Sequence, residues 1–350
     1  MKRITGAALF GLGILSLLLA MALVWIIVPS QERVPLDLVP PDVVVEAAGA
    51  SFVQAKTLPN GTPQVVVENA GLRSVTGIKP DFEAAAEIPG EQAGETLVWN
   101  VYHSTQRIDT NETINSSESR VALDRTTGEA VPWAGQCHLE EKADPAAGVG
   151  CTPGNVQFEG QLYLFPFGTE KRAYQYWDST LGEALPIEYQ DEEQFNGLPT
   201  YRFQQVVPEQ EAEMDPQTLT GLLGFLAPGA TSGTIAYRAT RTLWVEPMTG
   251  AIVGYREQQH RELVPDTGAR VVIFDADLQY DQATLDAVGA EAEHGRDLLL
   301  LLGRYVPIGL AVLGLLLIAA GVLLSRGAAP RGGHRAADTT EPLPTPVPHN

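Results

Sequence analysis

TGAALFGLGILSLLLAMALVWIIV, residues 5–28, carries no ionisable side chain. The hydrocarbon core of a bilayer takes roughly 20 apolar residues in a helix, so this run is long enough to cross. A second run, YVPIGLAVLGLLLIAAGVLL at 305–324, has the same property near the other end of the chain. Lys2 and Arg3 precede the first run, and Arg326, Arg331 and Arg335 follow the second. Basic residues outside both spans place the two termini in the cytoplasm. The intervening block of about 276 residues, 29–304, is then exported. The layout predicts a two-pass plasma-membrane protein with a large extracytoplasmic domain.

A cleaved leader is the competing interpretation of the first run. Ala20-Met21-Ala22 has the small-x-small form of a cleavage site. Cleavage there would leave Leu23-Val24-Trp25-Ile26-Ile27-Val28 as a new apolar terminus, and Trp25 suits a membrane interface. An uncleaved anchor is expected. Gly6, Gly11 and Gly13 in the first span, with Gly309, Gly314 and Gly321 in the second, allow two helices to approach closely.

The net charge is −20, and the exported block holds 18 basic against 41 acidic side chains. Such a surface repels phosphate backbones, so nucleic acid is excluded as a partner. Asp-rich loops with a glycine turn, which calcium would need, are missing from the sequence. The only cysteines, Cys137 and Cys151, are expected to form a disulfide in an oxidising compartment. His138 adjoins Cys137, but zinc needs a second pair of ligands, so no metal and no cofactor are expected.

The chain divides into a first helix with a short cytoplasmic start (1–28), a proline-rich stalk (29–41), a β-rich domain (42–281), a juxtamembrane helix (282–304), a second membrane helix (305–324) and a disordered cytoplasmic tail (325–350). Strand character appears at 43–45, 65–67, 97–102, 198–203, 234–239, 242–245, 251–258 and 271–275. Asp191-Glu192-Glu193 and the acidic run 209–215 read as solvated loops. An internal echo joins two of the strands. Val121-Ala122-Leu123-Asp124 leads to Thr127-Gly128, and Leu243-Trp244-Val245-Glu246 leads to Thr249-Gly250. The expected fold class is α+β, a predominantly antiparallel β ectodomain of one or two lobes between two transmembrane helices.

Aromatic residues crowd into Phe158, Tyr163, Phe165, Phe167, Tyr174, Tyr176 and Trp177. They are expected either to pack a core or to line a lipid cavity. Leu219, Leu222, Leu223, Phe225 and Leu226 form an apolar stretch too short to span a bilayer and are the candidate lid. No nucleophile elbow, zinc-protease helix, phosphate-binding loop or dinucleotide fingerprint occurs, so no catalytic residue is assigned and an enzyme is not expected. Tyr176-Trp177-Asp178 offers an acid beside an aromatic platform, as in a carbohydrate-active site, but glycoside hydrolysis needs a second placed carboxylate.

Gly160, Tyr163, Phe165-Pro166-Phe167, Thr169-Glu170-Lys171, Tyr174 and Tyr176-Trp177-Asp178, together with 196–203 and the Trp244-Val245-Glu246-Pro247-x-Thr249-Gly250 strand, resemble the actinobacterial PorA-like family of unknown function. The two-anchor layout fits as well, so the resemblance covers nearly the whole chain. The family's name implies a porin, whereas related members look like envelope factors whose ectodomain accommodates lipid during lipoglycan assembly. No catalytic residue set comes with it. Two apolar helices without a polar stripe cannot line an aqueous pore, and only an oligomer could. The layout is also similar in architecture to class B scavenger receptors. The expected function is therefore binding or presenting a membrane lipid, glycolipid or lipoglycan intermediate. The alternative is a scaffold for envelope-assembly enzymes or an oligomeric channel.

Overall fold

The computed structural model describes residues 2–58, 60–140 and 150–326, and the tail expected over 325–350 lies, from 327 on, outside them. Two compact units result, one from residues 2–26 with 302–326 and one from Ile27–Leu301. In chain order, α1 (Lys2–Ala22) continues through a π-helical turn (Leu23–Ile27) into α2 (Val28–Gln31). A first meander follows: β1 (Val43–Thr57), β2 (Pro63–Pro80), α3 (Phe82–Ala86), β3 (Thr96–Arg107), β4 (Thr113–Asp124) and β5 (Cys137–Glu140). The second comprises β6 (Tyr174–Asp178), β7 (Glu183–Phe195), β8 (Leu198–Ala212), α4 (Pro216–Leu226), β9 (Gly233–Val245), β10 (Ile252–Pro265) and β11 (Val271–Tyr280). The chain ends with α5 (Gln282–Leu300), a π-helical turn (Leu301–Tyr305) and α6 (Val306–Arg326).

All eleven strands belong to one antiparallel sheet, ordered β5-β4-β3-β2-β1-β11-β10-β9-β8-β7-β6. The meanders meet where the first strand pairs with the last, Val45 opposite Tyr280 and Phe52 opposite Phe274. They are thus two halves of a single half-barrel sheet rather than separate lobes. Curvature is visible in α4, which touches β2 as well as β9 and β10 although two strands separate β2 from β10.

Alternation along the strands sets the two faces. On β9, Ile235, Tyr237, Ala239, Arg241, Leu243 and Val245 are all buried, whereas Arg238 faces solvent. The acidic runs expected as loops are strand. Asp191-Glu192-Glu193 lies in β7 and the start of 209–215 in β8. Their charges are accommodated because they face outward, Asp191 accepting two hydrogen bonds from Arg202 across the strand pair.

The inner face carries three zones. Where the chain enters and leaves the sheet, Leu97, Trp99, Val101, Val121 and Leu123 pack on Phe158, Leu162, Trp177 and on Val34 from the segment 29–41 expected as a stalk. Beside them Phe165, Tyr174, Tyr176, Ile187, Phe203, Leu243 and Val245 form a second cluster. At the opposite end Val207, Ile235, Tyr237, Leu263 and Ile273 pack beneath Leu222 and Leu223 of α4. A polar belt runs between. The helix α4 starts cleanly because Pro216 occupies its first turn and Asp215 accepts from the Thr218 N–H at 2.8 Å.

Cys137 and Cys151 are joined, with Cα atoms 5.6 Å apart. The bridge ties β5, whose only neighbour in the sheet is β4, to the start of the next described segment. Closing a loop of this size removes unfolded-state freedom worth about 3 kcal/mol. Changing both cysteines to serine is expected to lower unfolding stability by about that amount, read by urea denaturation of the full chain in detergent.

Candidate functional site

Three hairpin ends are built alike. At each, an acid ends or directly follows a strand and a glycine four residues later takes positive φ: Asp124 with Gly128 (+67°), Asp178 with Gly182 (+69°) and Glu246 with Gly250 (+73°). The acid's backbone carbonyl accepts from the glycine N–H at 2.9 Å in all three. Its carboxylate accepts from two of the intervening N–H groups, those of Thr126 and Thr127, Thr180 and Leu181, or Met248 and Thr249. Only the first and third were legible as an echo. In the second, Leu181 stands where the others have threonine.

The aromatic segment 158–169 is a clasp that fastens the first of these ends to the third. Ala130 donates to the Gly160 carbonyl and Phe167 to that of Thr126, while Phe165 donates to Gly250, Gly168 to Met248 and Thr169 to Pro247. The clasp thereby joins β4 of one meander to β9 of the other.

Its rings act as anchors. Phe158 meets Trp177 edge-on at 5.2 Å, Tyr163 sits 6.2 Å from Trp99, and Phe165 contacts Tyr174, Tyr176 and Phe203. Phe167 is partly buried against the same cluster as Phe158. The Tyr176 hydroxyl donates to the Leu162 carbonyl, and burial pushes its pKa up to about 12. The seven candidate cavity residues are thus brought together, but onto one another. Of the candidate lid residues, Leu222 and Leu223 are buried, Leu219 and Leu226 partly so, and Phe225 is 44% exposed.

A buried charge network in the polar belt escaped the sequence reading. Asp178 is fully buried, and its Oδ2 accepts from Arg241 Nη1 and the Tyr237 hydroxyl, both at 2.8 Å. With Thr180 and Leu181 on Oδ1, both carboxylate oxygens are occupied, leaving Asp178 no role as an acid catalyst. Arg241 also donates to Gln205 Oε1 and lies 2.6 Å from Glu257 Oε1, while Tyr255 donates to Glu257 Oε2. Burial opposes the guanidinium charge, but Glu257, Tyr255 and Asp178 outweigh it and hold the pKa well above its usual value. Burial likewise pushes Tyr237 up to about 12, so it remains a donor. The overlooked signal was parity: Arg241 falls on the apolar side of an otherwise regular alternation from Ile235 to Val245.

Across the belt, His103 is ringed by hydroxyls. Its Nε2 lies 2.8 Å from Ser74 Oγ and 3.3 Å from Thr105 Oγ1, and its Nδ1 lies 3.0 Å from Thr76 Oγ1. Burial holds its pKa below the usual imidazole value, against a weaker upward pull from Glu140 and Glu257. Between the lowered folded pKa and the unfolded value near 6.5, the unfolded chain binds more protons. The stability this histidine confers is therefore complete above about pH 6.5 and lost as pH falls through the folded value. A His103→Gln variant is expected to show a shallower fall in melting temperature from pH 7 to pH 5 than the parent chain. Parallel slopes would refute the assignment.

In the other unit, α1 and α6 touch backbone to backbone. A Cβ on Gly13 would lie 2.6 Å from the Gly314 carbonyl, and one on Gly321 would lie 2.7 Å from that of Gly6. Ser16 donates to the Leu310 carbonyl at 2.7 Å. Outward, Leu15, Leu18, Ile308, Leu315, Leu316 and Leu323 are exposed. No group of three or more metal-ligating side chains occurs among the described residues.

The family model for porin PorA matches residues 5–323. A Porin PorA of Corynebacterium resistens is 26% identical over 411 aligned positions, covering 93% of this chain and 97% of the relative. A Porin PorA of Corynebacterium amycolatum is 24% identical over 306 aligned positions, covering 74% and 77%. With a match that takes in both apolar helices and the whole sheet between them, the chain belongs to the porin PorA family.

Proposed function

We propose that this chain is a non-enzymatic cell-envelope membrane protein that contributes to a channel assembled from several copies. Its two apolar helices cross the plasma membrane, with both termini cytoplasmic and the sheet domain outside. The family name supports the channel. The observation that carries the assembly is the closed interface of α1 and α6, whose backbones leave no lumen between them. The sheet's outer face supports the same reading, because Arg202, Arg238, Arg256 and Asp277 point outward and suit water rather than lipid. A water path must then run between chains.

A second reading is a scaffold that recruits envelope-assembly enzymes. It is favoured by the lack of charge on the membrane-facing sides of the helix pair, since pore linings usually carry polar or charged groups. Lipid presentation by the ectodomain gains no support from the packing, because the seven aromatics expected to line a cavity are consumed by the clasp and core.

Purified full-length chain is expected to give discrete conductance steps in planar bilayers. A Gly13→Leu, Gly314→Leu double variant, which forces the helices apart, is expected to abolish them. Silent bilayers, together with co-purification of an envelope glycosyltransferase, would sink the channel and favour the scaffold.

A further inference from the structure

Beside the closest approach of the helix pair lies a groove of about 460 Å³. Ala7, Phe10, Gly321, Val322, Ser325 and Arg326 line it, the last two being the final residues of α6. The groove exists because the helices meet tightly next to it, where a Cβ on Gly321 would strike the Phe10 N–H at 2.8 Å. Phe10 is 41% exposed, so its ring is a wall rather than filling.

Arg326 makes no ion pair with any described residue, and segments 2–26 and 302–326 contain no aspartate or glutamate at all. The first acid beyond it in the sequence is Asp338. Lys2 and Arg3 belong to the same end of the sequence pattern, and Arg331 and Arg335 follow. An apolar groove ending at a cation that pairs with no described residue, with a serine beside it, is complementary to an amphiphile. That molecule has a hydrocarbon chain and an anionic phosphate at its head.

We propose that this groove is a binding site for an anionic phospholipid of the cytoplasmic leaflet. One acyl chain lies along Ala7, Phe10, Gly321 and Val322, and the headgroup phosphate accepts from Arg326 and Ser325. Anionic leaflets attract basic groups at helix ends, each contributing about 1 kcal/mol, which is about fivefold in affinity. A neutral lipid would fill the same trough without satisfying the guanidinium. The inference rests on the two-pass reading above and is independent of whether a pore forms.

The test uses the full chain in nanodiscs of equal parts phosphatidylglycerol and phosphatidylcholine, released into mild detergent and weighed by native mass spectrometry. Phosphatidylglycerol is expected to be retained at least fivefold over phosphatidylcholine. Arg326→Gln removes the cation, and Ala7→Phe fills the trough while keeping the cation; each is expected to bring retention to parity. Free glycerol phosphate at millimolar concentration is expected not to displace the lipid. Equal retention in the parent chain, selectivity that survives either variant, or displacement by glycerol phosphate would each overturn the site. Carbonate extraction separates the two levels. A chain washed from the bilayer overturns the two-pass reading and the site with it, whereas an embedded but lipid-indifferent chain overturns the site alone.

Discussion

A Gly250→Ala chain is expected to lose more than about 4 kcal/mol of stability, or to fail to fold, whereas Gly182→Ala is expected to lose only about 1–2 kcal/mol. Both glycines hold nearly the same positive φ, +73° and +69°, in turns with the same hydrogen-bond pattern. An L-residue at either position pays the same left-handed penalty. The difference lies in what surrounds them. A Cβ at Gly250 would stand 2.0 Å from the Phe165 carbonyl oxygen and 2.8 Å from that of Pro166, whereas nothing lies within 4 Å of one at Gly182. Neither obstacle is a flexible side-chain end; both are clasp backbone, and Phe165 is fixed by four aromatic neighbours or bonds around it. Urea denaturation of the two variants in detergent, followed by tryptophan fluorescence, checks this. Equal losses would show that the clasp adds nothing to the joining of the two meanders.

Arg241→Met is the second large effect, at about 3–5 kcal/mol. Methionine fills much of the volume of the arginine stem, so the loss is electrostatic rather than a cavity. It leaves Asp178, which is fully buried, and Glu257, 8% exposed, without their shared cation. Gln205 loses its donor as well. Neutralising the stranded acids is expected to restore part of the loss, so the triple variant Arg241→Met, Asp178→Asn, Glu257→Gln should be more stable than Arg241→Met alone by at least 1 kcal/mol. A triple variant no better than the single one would mean that the network is held by packing, not charge.

The two long apolar helices were legible because extended runs without charge stand out in composition alone. The strands centred on 97–102, 198–203 and 251–258 were legible because one face of each is buried and the other is not. Lengths were underestimated where polar residues continued a strand. Thr105 and Arg107 belong to β3 because they reach inward to the polar belt, Arg107 donating to Gln54 and Asp109, and no apolar period marks such positions. The acidic stretch of β7 was hidden for the opposite reason: its partners Arg202 and Lys171 come from distant positions, so pairing could not be seen locally. The aromatic segment stood out by its density of rings, but its chemistry as a core anchor or a cavity wall looks the same in sequence. Only the hydrogen bonds of 158–169 to two remote turns distinguish them.

The pairing of the first strand with the last bears on how the domain is made. Each meander is assembled from neighbours in sequence and can form early, since short loops close quickly. The central seam cannot. β1 finds β11 only after Tyr280 has been synthesised, more than two hundred residues behind Val45. Until then the emerging first half presents a 15-residue strand with one side unpaired, and such an edge invites pairing with another copy. Synthesis of this protein therefore contains a waiting period at its centre, and a chain truncated between β2 and β11 is left with an adhesive edge.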